Sequence, residues 1–185
     1  MNVPVWDAPV RVLHWTIAAS FVLCWASTID AFAAIGPWHE PAGWVGFAAV
    51  VLRVAWGFVA PGEHGRHARF ASFVCAPAAV LAYARRVRAG RAPRHVGHNP
   101  LGGWMALALW LCIAALALTG WLYSTDAGFG DATLEALHET IAWAMGALVA
   151  LHIAGAIVTG RTHGENLVAA MLHGRKRAPQ AGDID

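Results

Sequence analysis

Four long apolar stretches, at about residues 10–29, 37–60, 101–123 and 133–160, limit what this chain can fold into. Each is long enough to cross a hydrocarbon core, which takes roughly 20 residues in a helix. With 185 residues, 58% of them hydrophobic and only 13% charged, the chain is too apolar for a soluble domain of its size. The expected fold class is therefore an all-α membrane protein. Four antiparallel spans joined by short outer loops and one long inner loop make a four-transmembrane-helix bundle. That leaves one domain over residues 1–185 and no room for a second.

Orientation follows from arginine and lysine. Seven of the 13 lie between Pro61 and Asn99 (Arg66, Arg69, Arg85, Arg86, Arg88, Arg91 and Arg94). Arg161, Arg175, Lys176 and Arg177 follow the fourth span, Arg11 opens the first, and Arg53 sits inside the second. The opposite connections carry Asp30, Glu40, Asp126, Asp131, Glu135 and Glu139 and no lysine or arginine. The positive-inside rule then puts both termini and the long loop of a multi-pass membrane protein in the cytoplasm. The first stretch reads as a span and not as a cleaved leader, because its apolar run is longer than a signal core and its basic region is Arg11 alone. Cys24, Cys75 and Cys112 are scattered and form no CxxC or CxxCH, so covalent haem attachment is excluded and any haem must be held by side-chain ligation.

Ligating side chains inside a span are costly enough that a functional reason is the default. Four of the ten histidines lie in or at the ends of spans: His14, His39, His138 and His152. His14 and His152 sit at the cytoplasmic depth, His39 and His138 at the outer one. The stretch "LHETIAWAMGALVALHIAG" carries two of them, fourteen residues apart. In a helix that separation is about 21 Å of rise, with the two rings only about 40° apart around the axis. One helix face can thus offer an imidazole to each of two stacked flat cofactors, with His39 and His14 closing the other sides. Iron in a porphyrin takes two axial ligands, and imidazole suits it. The plainer reading of any one of these rings is a hydrogen bond to a neighbouring helix.

On the second span His39, Gly43, Gly46, Val50, Arg53 and Gly57 follow steps of three and four. Gly43 and Gly46 would leave a groove for a macrocycle, although close helix packing gives the same pattern. Arg53 reaches the level of the inner histidines, where a cation suits haem propionates; it would otherwise be a snorkelling anchor. Arg11, nearly one turn before His14, could serve the same inner cofactor. "HGRH" (His64, His67) and "HVGH" (His95, His98) have a spacing that could gather a divalent metal, but no carboxylate or cysteine cluster joins them. The loop "ARFASFVCAPAAVLAYARRVRAG" reads as a helix lying on the inner leaflet, against membrane lipid, with Pro77 either breaking it or starting its second half. "ENLVAAMLHG" reads as a second short amphipathic piece.

The stretches "VWDAPVRVLHW", "HEPAGWVGFAAVVLRVAWGF", "GHNPLGGWM", "LHETIAWAMGALVALHIAG" and "ENLVAAMLHG" resemble the bacterial cytochrome b561 family, which is related to the b-type cytochrome subunits of nickel-iron hydrogenases. The resemblance spans Val5 to Gly174. It implies two haem b groups with bis-histidine ligation, carried over onto His14 with His152 and His39 with His138. It also implies electron transfer between the quinone pool and a partner redox protein or small acceptor, and the acidic outer loops could dock a basic periplasmic partner such as a c-type cytochrome. No nucleic-acid partner is expected. Other readings stay open: superoxide oxidation coupled to quinone reduction, the membrane anchor subunit of a larger oxidoreductase, or a haem-free metal transporter using the same histidines.

Overall fold

A computed structural model of the chain describes residues 1–63 and 65–184. It contains six α-helices: α1 (Ala8–Ala26), α2 (His39–Val59), α3 (Pro77–Arg88), α4 (Pro100–Tyr123), α5 (Ala132–His163) and α6 (Leu167–His173). Two short strands, β1 (Asn2–Pro4) and β2 (Arg175–Arg177), pair antiparallel with Asn2 opposite Arg177. Helices α1, α2, α4 and α5 are long and apolar enough to cross a membrane. Their large apolar side chains point outward, among them Val22, Leu52, Phe58, Leu111, Leu118, Leu151 and Ile157. Water would penalise such a surface, whereas lipid tails are as apolar as the side chains themselves. The chain is an all-α membrane protein.

Element boundaries have local causes. α2 begins at His39 with Pro41 in its first turn, where a missing N–H breaks no helical bond. Before it, Asp30–Trp38 forms tight 3-10 turns with a break at Phe32. Pro77 starts α3, with Ala76 extended before it, as proline requires of its predecessor. The loop helix therefore opens at the proline, and residues 69–76 ahead of it hold only one short 3-10 turn at Phe70–Ser72. In α6 the Asn166 side chain accepts from the Ala169 amide, and Gly174 closes the helix in the left-handed region.

The chain divides into two compact units. One comprises residues 12–54 and 108–149, and its core is a four-helix contact. Val50, Ile113 and Met145 are buried there, with Ile17 and Phe21 of α1, Phe47 and Val54 of α2, Trp110 and Leu116 of α4 and Val149 of α5 around them. Close approach matters on α2: a Cβ on Gly46 would lie 3.1 Å from Ser20 Cβ on α1.

The other unit comprises residues 1–11, 55–107 and 150–185. Val5, Trp6, Val10, Ala60, Ala68, Val96 and Ala170 form its core. Asp7 ties this unit together by capping the Val10 amide at 2.8 Å and accepting from Trp56 Nε1 at 2.8 Å. A buried ionic network lies beside the β-strands. Arg94, only 4% exposed, donates to Glu165, to Asp183 and to the Arg177 carbonyl. Lys176, also buried, donates to the Val96 carbonyl at 2.7 Å. Burial pushes the Lys176 ammonium down to about 8, against the opposing pull of the Glu165 charge. Burial also pushes the Glu165 carboxyl up, but the hydrogen bond from Arg94 and the charges of Lys176 and Arg94 outweigh it, so it sits below the ordinary value.

Candidate functional site

The four histidines singled out above divide between the two units. His14, His39 and His138 belong to the four-helix unit and His152 to the other. His39 opens α2, and His138 lies near the start of α5, which continues unbroken to carry His152. All four rings are half-buried.

His39 and His138 come together. Their ring centroids are 6.1 Å apart with the planes inclined at 56°. Both rings make their hydrogen bonds through Nδ1. His39 Nδ1 lies 3.2 Å from the Cys24 carbonyl and 3.0 Å from Ser27 Oγ. A carbonyl only accepts, so this nitrogen carries the proton and donates. Ser27 is consistent with that assignment, because its own hydroxyl donates to the Cys24 carbonyl at 2.7 Å and its oxygen remains free to accept.

The His138 side repeats the pattern on another helix. Thr119 Oγ1 on α4 donates back to the carbonyls of Ala115 and Leu116, at 2.9 and 3.2 Å. With its proton so committed, Oγ1 accepts from His138 Nδ1–H at 2.9 Å. In each ring the lone pair therefore resides on Nε2.

This arrangement fits a bis-imidazole haem iron. A metal–imidazole bond is about 2.0–2.1 Å, and a ring nitrogen lies about 1.1 Å from the centre of a five-membered ring with bonds near those of an amide C–N. Two imidazoles on one iron thus have centroids roughly 6.2 Å apart. Rotation about a metal–nitrogen axis leaves the bond intact, so the 56° inclination is no obstacle. Gly120 lies at the same place: a Cβ there would stand 3.4 Å from His138 Cε1.

Each remaining sequence-predicted residue has a definite setting. Arg53 is 4% exposed, with its guanidinium 5.2 Å from the centre of the Trp110 ring. Arg11 Nη1 donates to the Leu172 carbonyl of α6 at 2.6 Å. Gly43 faces α1, where an added Cβ would meet Cys24 Sγ at 4.0 Å, and Gly46 abuts Ser20. Of the loop histidines, His64 lies outside the described residues. His67 Nε2 accepts from Arg66 Nε at 3.3 Å, and His98 packs edge-on against Trp6 at 4.6 Å. His95 packs on Tyr83 at 5.2 Å, and burial, with the nearby Lys176 charge, lowers its pKa. Among the described residues no three His, Cys, Asp or Glu side chains gather in a metal-binding group.

Sequence reasoning named the histidine pair but not the groups around it, Ser27, the Cys24 carbonyl, Thr119 and Gly120. The spacing "CWAS", with a carbonyl and a hydroxyl three residues apart, is the one trace they leave, and it is too common to select. No curated protein sequence matches the chain. The profile of the prokaryotic cytochrome b561 family matches residues 5–174. With that match over nearly the whole length, four membrane-spanning helices and a histidine pair spaced for one iron, the chain belongs to the prokaryotic cytochrome b561 family, membrane proteins that bind b-type haem and transfer electrons.

Proposed function

We propose that this protein is a di-haem cytochrome, one four-helix domain that moves single electrons between the quinone pool and a redox partner across the bacterial inner membrane. The observation that carries the reading is the pairing of His39 with His138 at 6.1 Å, each ring holding its proton on Nδ1. The first haem is assigned to that pair. A second is assigned to His14 and His152 on the sequence alone, from the fourteen-residue repeat of histidine along α5. Haem held by two imidazoles supplies a reversible one-electron couple with no open coordination position.

The chain's own residues then divide the work. Imidazole Nε2 atoms bind; Cys24, Ser27 and Thr119 orient. Arg53 and Arg11 are assigned to the propionates of the second haem, where cations offset buried negative charge. Gly43 and Gly46 keep α2 slim beside α1 on the helix that carries His39. The arginine-rich side, with both termini, is assigned to the cytoplasm, and the acidic connections to docking a basic periplasmic partner such as a c-type cytochrome.

The test is haem stoichiometry. Protein purified from cells given excess haem precursor is expected to hold two haems per chain by pyridine haemochrome assay. His138→Ala and His152→Ala are each expected to hold one, with different redox midpoints remaining. One haem per chain in the saturated wild type, or loss of both from either variant, overturns the assignment.

A further inference from the structure

We propose that Thr119 is a positioning residue that sets the reduction potential of the haem bound by His39 and His138, acting through the Nδ1 proton of His138. The inference rests on the ligation reading above and adds a role for a residue that acts through the His138 ring. A threonine in a transmembrane helix ordinarily donates its hydroxyl proton one turn back, and Thr119 does so, to Ala115 and Leu116. That habit has a second effect here. With its proton spent on α4, Oγ1 can only accept, and the group it accepts from, at 2.9 Å, is a ring nitrogen on a different helix. Thr119 is buried, only 5% exposed.

A hydrogen bond accepted from Nδ1–H moves electron density toward Nε2 and makes the imidazole a stronger donor. A stronger donor favours ferric over ferrous iron and lowers the potential. The two sides of the site are built alike, each ring meeting one hydroxyl and one backbone carbonyl. His39 has two acceptors, the Cys24 carbonyl and Ser27, and keeps the carbonyl whatever stands at position 27. For His138 the side-chain acceptor is Thr119, and the Leu116 carbonyl stands beside it as a backbone acceptor.

The experiment is a spectroelectrochemical titration of the fully loaded protein with Thr119→Val, Thr119→Ser and Ser27→Ala. In Thr119→Val the midpoint of one haem is expected to rise. At fixed ambient potential its ferrous-to-ferric ratio should increase roughly tenfold, which is about 59 mV for a one-electron couple. Thr119→Ser keeps the acceptor and should return the wild-type value. Ser27→Ala should move the same haem in the same direction. The haem that moves must be the one missing from His138→Ala. If Thr119→Val does not accumulate, Thr119→Ala carries the same expectation.

Unmoved midpoints in a variant that retains both haems, or an equal shift in Thr119→Ser, overturn the inference while leaving the ligation intact. Retention of two haems by His138→Ala overturns the ligation itself. The two failures are therefore distinguishable.

Discussion

A histidine in an apolar stretch announces itself, because desolvating an imidazole needs a reason. For that cause His39 and His138 stood out in the sequence, and the structure brings their rings to 6.1 Å. Thr119 was not legible. A lone hydroxyl in "IAALALTGWLY" satisfies itself on its own helix, and nothing in the local pattern shows that its oxygen meets a ring on α5. Gly120 was hidden for the same reason, since its neighbour across the interface is known only once the helices pack. A Cβ at Gly120 would meet His138 Cε1 at 3.4 Å, an ordinary contact, whereas the branch methyls of valine would press the ring out of place. Gly120→Ala is therefore expected to keep the wild-type haem content. Gly120→Val should lose the haem that His138→Ala loses, read by haemochrome stoichiometry.

At the scale of elements, hydropathy located the four spans within a few residues, because length and apolarity suffice for that. It placed the second span at about residue 37 and the fourth at 133–160; α2 begins at His39, and α5 runs three residues further to His163. The 3-10 turns of Asp30–Trp38 escaped notice, since their apolar composition does not distinguish them from the spans on either side. Pro77 allowed two readings, and the structure takes the one in which it starts a helix. α3 leaves Leu81 and Val87 exposed and buries Tyr83, with Arg85, Arg86 and Arg88 in its last turn, where cations suit the carbonyl end. The start of α4 depends on a close approach that spacing could not reveal. A Cβ on Gly103 would come within 2.5 Å of the Phe73 carbonyl oxygen, a backbone atom that cannot rotate away. Gly103→Ala is expected to lower stability by about 1–3 kcal/mol, measured as a lower melting temperature in detergent.

At the scale of the whole molecule, the positive loop looked in sequence like a uniform field of arginines. Arg94 is the exception, buried and bonded to Glu165 and Asp183. No rule of charge counting separates it from Arg91, because its partners lie 71 and 89 residues away in the chain. The network makes stability depend on pH in two windows. Glu165 has a native pKa below its ordinary 4.5, so its contribution is full above that value and is lost as pH falls through the lowered one. Lys176 is the reverse case, a cation whose native pKa of about 8 lies below the 10.5 of the unfolded chain. From pH 8 to 10.5 the unfolded state holds the extra proton, so stability rises with pH across that window. The melting temperature is expected to fall below pH 4.5 and to climb between pH 8 and 10, and Glu165→Gln should flatten the acid limb.

The pairing of Asn2 with Arg177 has a consequence for how the protein is made. Ribosomes add about 5–20 residues per second, so β1 waits on the order of ten seconds for its partner to be translated. During that delay the first span is already available for insertion, while Val5 and Trp6 lack the Gly174 carbonyl that their amides will eventually meet. This half of the molecule can lock only at the end of synthesis. A nascent chain stalled before residue 165 would expose its opening residues to proteases that the finished protein resists.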